Sequence, residues 1–129
     1  MALKIVIRGA TPSQKNSKSI AINRATGKPF IMSNQNVKTW QNTAAIQLLR
    51  YRIKEPLQGK QELSIMFYVK DNRRRDLDNM LTTIQDALVK AGILEDDSWK
   101  SLKIGEIDAT LDKANPRAVI TIKSVDEIQ

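Results

Sequence analysis

Five segments of the chain have the residue patterns of β-strands. Residues 3–9 and 61–70 alternate apolar and polar positions, which predicts strands with one buried face. Residues 100–108 and 117–123 predict two closing strands, with a turn at "KANP" between them. Residues 20–33 predict a β-hairpin whose turn contains Gly27 and Pro29.

Two other segments carry apolar residues at helical spacing. The first predicts a helix that Ser33 or Asn34 caps and that runs to about residue 53. The second has an apolar stripe over residues 77–91 and is expected to end at Gly92, which suits a left-handed C-terminal stop.

These elements predict one small domain. Two main helices and several strands that do not strictly alternate indicate a two-layer α+β domain with a mixed β-sheet. A chain of 129 residues is expected to form a single domain over residues 1–129. We find no apolar run of the ~20 residues that a membrane span requires and no signal peptide, so we expect a cytoplasmic protein without membrane contact.

The composition restricts the chemistry. The chain has no cysteine and no histidine, which excludes disulfides, Cys/His zinc sites, thiol nucleophiles and a histidine general base. A metal site would therefore use oxygen ligands, which suit Mg²⁺ or Mn²⁺. The formal charge of +7 favours a polyanionic partner, nucleic acid before membrane, although a basic soluble domain has the same charge.

The segment "RRRDLDNM", residues 73–80, places three arginines against two aspartates. If the backbone is extended here, Asp76 and Asp78 point the same way, and a divalent cation between them would turn crowded anions into ligands. Helix capping explains the same residues without a metal, because Asp76 is a good N-cap and Asp78 a favourable first-turn residue.

A second acidic cluster, "EDD" at residues 95–97, follows the predicted helix. Two acidic clusters that bracket one helix in a basic protein are what metal-assisted phosphoryl transfer needs. By itself "EDD" is also an ordinary polar turn. Thr82 lies one turn after Asp78, near the predicted metal. Trp40 fits the apolar stripe and is expected in the core, whereas Trp99 keeps no assigned role.

The combination of "RRRDLDNM", "DALVKAG" and "EDDSW" at these spacings resembles the RusA family of Holliday junction resolvases. The resemblance is strongest over residues 71–99, and "PSQKNSK" near the N-terminus is similar to the loop after the first strand in that family.

The resemblance implies a homodimeric, Mg²⁺-dependent endonuclease that makes paired nicks in four-way DNA junctions and leaves 5′-phosphate and 3′-hydroxyl ends. By position, Asp76, Asp78 and Asp97 match the catalytic, metal-binding aspartates of the family. Asp96 and Asn79 match neighbouring polar residues, and we include Asp96 among the metal ligands. The basic residues expected to hold DNA are Lys15, Lys18, Arg73, Arg74 and Arg75.

One position departs from the family pattern. Thr82 replaces a functionally important lysine, so a substitute charge would have to come from Lys90, Lys100, Lys103 or the run of residues 73–75. A non-catalytic junction-binding protein is therefore the main alternative. A sugar transferase that uses D-x-D to hold a metal–nucleotide is disfavoured by the short chain. Whether Asp97 acts within its own subunit or across the dimer stays open, with a shared site slightly favoured.

Overall fold

The computed structural model describes residues 2–12, 18–33, 35–51 and 53–125. Its main sheet has four strands in the order β1-β6-β4-β5, and β2 and β3 form a separate two-stranded hairpin. The strands are β1 (Ala2–Arg8), β2 (Lys18–Ile22), β3 (Pro29–Ser33), β4 (Gln61–Val69), β5 (Leu102–Leu111) and β6 (Arg117–Ser124). The helices are α1 (Gln35–Leu48), which a 3₁₀ turn extends over Leu49–Tyr51, and α2 (Leu77–Lys90).

Alternation along the strands builds the core, because every second residue points to the same face of a sheet. The buried residues of β1, β4 and β6 lie on one face and pack against both helices through a single apolar cluster. The strand members of this cluster include Ile5, Ile7, Leu63, Ile65, Phe67, Ala118, Ile120 and Ile122. The predicted small α+β domain with a mixed sheet and two main helices is confirmed.

The pairing of the last strands differs from a hairpin. Although only a short turn separates β5 from β6, they are not neighbours, because β4 lies between them. β4 pairs in parallel with β5 and antiparallel with β6. The parallel pair requires a crossover, and α2 supplies it. The loop after β5 then crosses the end of β4, where the Asp112 N–H donates to the Val69 carbonyl at 2.8 Å.

Several predicted details can be compared with the structure. Gly92 has φ +77°, so the predicted left-handed stop after α2 is confirmed. Trp40 is 6% exposed, as expected for a core residue. The predicted cap at Ser33 or Asn34 cannot be described, because Asn34 and the Ser33 side chain lie outside the described set. Among the helices of the described segments, none has the length and apolarity needed to cross a bilayer.

Candidate active site

Asp76 caps helix α2. Its backbone is extended (φ −94°, ψ 105°), and Oδ1 accepts the N–H groups of Asp78 at 3.0 Å and Asn79 at 3.4 Å. Oδ2 accepts a third hydrogen bond, from Asn79 Nδ2 at 2.8 Å. The capping interpretation of Asp76 is therefore confirmed, and its carboxylate still has lone pairs to offer a cation.

The expectation that residues 76–78 are extended was wrong. α2 begins at Leu77, so Asp78 already stands in the first helical turn rather than on a strand. The cap explains the difference, because it satisfies the first N–H groups of the helix and lets the helix start immediately. Asp78 is exposed, and its carboxylate accepts no hydrogen bond from a described residue. One turn later, the Thr82 hydroxyl donates to the Asp78 carbonyl at 3.0 Å.

The arginine run is organised by Asp71, a residue that the sequence analysis did not single out. Asp71 Oδ1 accepts the Arg73 N–H at 3.0 Å and the Arg75 guanidinium at 2.8 Å. The Arg73 N–H and the Arg75 side chain hold the pKa of the Asp71 carboxyl below its usual value. Arg75 also donates to the carbonyls of Asp71 and Arg73 at 2.9 Å.

These contacts distinguish the three arginines by their exposure and their partners. The Arg75 side chain is 22% exposed and closes the loop, whereas the Arg73 side chain is 84% exposed and meets Asp71 only at 3.8 Å. Arg74 is exposed and has no ion-pair partner in the described part of the chain. Arg74 is consequently best placed to meet an external anion.

The segment that follows β1 begins beside α2. The Thr83 hydroxyl is buried and donates to the Pro12 carbonyl at 3.0 Å, which joins the segment after β1 to the helix. The sequence analysis assigned Thr83 no role, although this residue falls on the apolar side of α2 between Met80 and Ala87. Lys15 lies outside the described residues, and Lys18 begins β2.

The second acidic cluster forms a turn beyond the other end of α2. Ile93 and Leu94 are buried, whereas Asp96 and Asp97 are exposed. Asp96 Oδ1 accepts the Ser98 N–H at 2.8 Å, and this bond, together with the Ser98 hydroxyl, lowers the pKa of the Asp96 carboxyl. The turn interpretation is thus confirmed for Asp96. Asp97 accepts no hydrogen bond from the residues described, so it has no comparable local role.

One chain does not gather the predicted aspartates. α2 has 14 residues and is therefore about 21 Å long at ~1.5 Å per residue. Asp76 and Asp78 lie at its N-terminal end, after the C-terminal end of β4. Asp97 lies near the opposite end of the strands, at the start of β4, where the Gln61 N–H donates to the Ser101 carbonyl. Within the ranges described, no three acidic residues are grouped closely enough to hold a metal.

The candidate substitutes for the family lysine are likewise divided. Lys90 is the last residue of α2, Lys100 lies in the turn before β5, and Lys103 is the second residue of β5. All three therefore lie beyond or at the C-terminal end of α2, as Asp97 does. Only the arginines of residues 73–75 share an end of the helix with Thr82.

The comparison with protein families supports the resemblance noted in the sequence. Residues 10–123 match the family model described as Endodeoxyribonuclease RusA, and this range includes both acidic clusters and α2. The comparison with individual curated proteins finds no significant match.

Proposed function

This chain belongs to the RusA endodeoxyribonuclease family, and from that membership we propose that it resolves four-way DNA junctions by paired nicks. Its reaction uses Mg²⁺ or Mn²⁺ and leaves 5′-phosphate and 3′-hydroxyl ends. The family match over most of the chain is the observation that carries this proposal. The charge of +7 supports it, because a basic protein attracts the phosphate backbone.

The donor set fits a hard divalent cation. Asp78 and Asp97 are exposed carboxylates without hydrogen-bond donors among the described residues, and Asp76 keeps lone pairs beyond those used in its cap. Asp76, Asp78 and Asp97, with Asp96 beside them, would hold the cation. When bound, it lowers the pKa of a coordinated water and stabilises negative charge on the phosphate.

A homodimer gives these residues a way to meet. Because the two ends of α2 are about 21 Å apart, we assign Asp76 and Asp78 of one protomer and Asp97 of its partner to each site. Twofold symmetry makes two such sites, which suits the cutting of two opposed strands in a junction. The exposed carboxylates at both helix ends support this arrangement, since each cluster alone is too small.

The other residues around each site bind DNA or hold the site in position. Arg74 binds a phosphate of the flanking duplex, while Asp71 and Arg75 hold the loop that carries Arg74. Asp76 fixes the start of α2 and thereby the position of Asp78. Lys15 and Lys18 extend the basic surface along the DNA. Arg73 or Arg74 supplies the positive charge that the lysine at the Thr82 position gives other family members.

A cleavage assay tests the proposal. The purified protein is incubated with a synthetic four-way junction or with a linear duplex of the same arm sequence, each with Mg²⁺ or with excess EDTA. We expect paired nicks in the junction only when Mg²⁺ is present, and junction binding under both conditions. Junction binding without nicking in Mg²⁺ and Mn²⁺ would instead favour the non-catalytic alternative, and undiminished cutting in EDTA would contradict metal dependence.

A further inference from the structure

Among the side chains that the structure describes, Trp99 is the most exposed large apolar one. It is 74% exposed, whereas Trp40, the other tryptophan, is 6% exposed. Water contact over so much indole surface is unfavourable, and no residue of the core packs over it. The protein therefore keeps a large aromatic surface available at this position.

Two lysines accompany the ring. The ammonium groups of Lys60 and Lys100 each lie 5.8 Å from the centre of the Trp99 ring. This distance is at the outer limit of cation–π attraction, so these contacts are weak and easily exchanged. An aromatic surface flanked by two positive charges matches a nucleotide, in which a flat base is joined to an anionic phosphate.

The backbone that carries Trp99 is fixed on both sides. The N–H groups of Ser101 and Leu102 donate to the Ser98 carbonyl at 3.0 and 2.9 Å, and Asp96 holds the Ser98 N–H. Leu102 is buried at the start of β5. Lys60 is held in turn, because its carbonyl accepts the Val125 N–H at 2.9 Å. The ring is therefore presented by an ordered turn, which limits the entropy lost on binding.

We infer that Trp99 is a stacking platform for a DNA base whose face is exposed at the branch point beside the cleavage point, with Lys60 and Lys100 holding the adjacent phosphates. The inference rests on the proposed function and deepens it, because Trp99 lies two residues after Asp97. A base inside a duplex is covered by its neighbours, whereas a base at the exchange point of a junction is available for stacking. Trp99 would therefore make the protein bind the branch point of the junction more tightly than its duplex arms.

Tryptophan fluorescence tests the platform without a cleavage readout. The wild-type protein is titrated with three probes: the four-way junction, a duplex of the same arm sequence, and oligothymidylate, which is single-stranded. We expect quenching by the junction and by oligothymidylate, and little quenching by the duplex. Trp99→Phe leaves the buried Trp40 as the only tryptophan, so with selective tryptophan excitation its signal should not respond to any of the three.

Gel-shift titrations supply the energetic readout. Trp99→Ala should weaken junction binding about 5- to 150-fold, the range for loss of one stacked base, and leave duplex binding unchanged. Trp99→Phe should restore junction binding to within about threefold of wild type, because phenylalanine also stacks. Ile46→Ala is the matched control, since Ile46 is a similarly exposed apolar residue, 69% exposed, on a different element, α1.

The outcomes separate the two proposals. Junction binding in the gel shift without quenching, or equal quenching by duplex, would overturn the platform and leave the resolvase assignment intact. Equal affinities of wild type and Trp99→Ala for the junction would also overturn it. Failure of the protein to bind any of the three probes would reject the proposed function and the platform together.

Discussion

Exposed aspartates lie at the N-terminal end of helix α2 and in the turn beyond its C-terminal end, but only the N-terminal ones stabilise the helix. Asp76 accepts two backbone N–H groups there, and Asp78 stands where the helix dipole favours negative charge. Asp96 and Asp97 lie five and six residues beyond the C-cap residue Ala91, outside the last turn in which the helix dipole acts. Asp96 orders its turn, and Asp97 has no stabilising contact within the described segments.

The comparison shows where a functional interpretation has most support. Asp76 has a structural role that would keep an acidic or amide residue there even without catalysis. Asp97 shows no such role among the described residues, so it is the clearer test of the proposed metal site. The same contrast separates Arg75, which closes a loop, from Arg74, which faces solvent.

The largest expected effect is at Asp97. Asp97→Asn should reduce junction nicking at least about 100-fold, because loss of a direct ligand costs at least as much as loss of a residue that orients one. The thermal midpoint should stay within about 1 °C of wild type, since no hydrogen bond is lost. Nicking rates and thermal melts measure the two effects.

Glu106→Gln is the control for Asp97→Asn, because it removes one exposed negative charge on β5 outside the proposed site. It should leave nicking unchanged. Wild-type nicking by Asp97→Asn would show that the C-terminal cluster is only a polar turn.

The second effect separates Arg74 from Arg75. Arg74→Ala should weaken DNA binding about 5- to 10-fold near 0.1 M salt and reduce the salt slope by about one, with Tm unchanged. Arg75→Ala should instead lower Tm by about 3–6 °C, because it breaks the bonds to Asp71. Gel shifts at several salt concentrations and thermal melts decide it. Equal losses of binding and stability in both variants would contradict the separate roles of Arg74 and Arg75.

Patterns of period two and 3.6 predicted the strands, both helices and the fold class, because each element buries one face. The position of β4 between β5 and β6 was not predictable from those patterns. It depends on the parallel pairing of β4 with β5, which arises from tertiary packing of the crossover helix. The burial of Thr83, in contrast, could have been predicted, because Thr83 lies three residues after Met80 and therefore on the same side of the helix.

The candidate site was predicted as a set of residues rather than as an arrangement. The motif spacing identified Asp76, Asp78 and Asp97, but the length of α2 keeps them apart in one chain. The role of Asp71 was missed because it depends on the loop conformation that brings Arg75 back four residues. Lys60 and Trp99 are distant in sequence, and only the adjacent starts of β4 and β5 bring them together.

A smaller effect concerns the cap. Asp76→Ala should destabilise the protein by about 1 kcal/mol, whereas Asp76→Asn should cost little, because asparagine is an equally good N-cap. Both variants should lose nicking, since neither retains the carboxylate. Chemical denaturation and the nicking assay together separate the capping role of Asp76 from its proposed metal role. Retained nicking in Asp76→Asn would restrict Asp76 to capping.

The smallest effect is a pH dependence at the N-terminal end. Because the pKa of Asp71 is lowered by folding from its ordinary value of 3.8, its contribution to stability is present above that pH and lost as the pH falls below it. The Tm difference between wild type and Asp71→Asn should thus be positive at pH 6 and shrink below about pH 4. A difference that grows on acidification would contradict the assignment.

Subunit mixing tests the shared site most directly. Asp76→Asn protein and Asp97→Asn protein, each inactive alone, are mixed under conditions that allow the dimers to exchange. In a shared arrangement each mixed dimer has one site with both defects and one intact site, so we predict that single-strand nicking of the junction returns. No recovery of nicking, with exchange confirmed by differently tagged subunits, would contradict the account and place Asp97 with Asp76 in the same protomer.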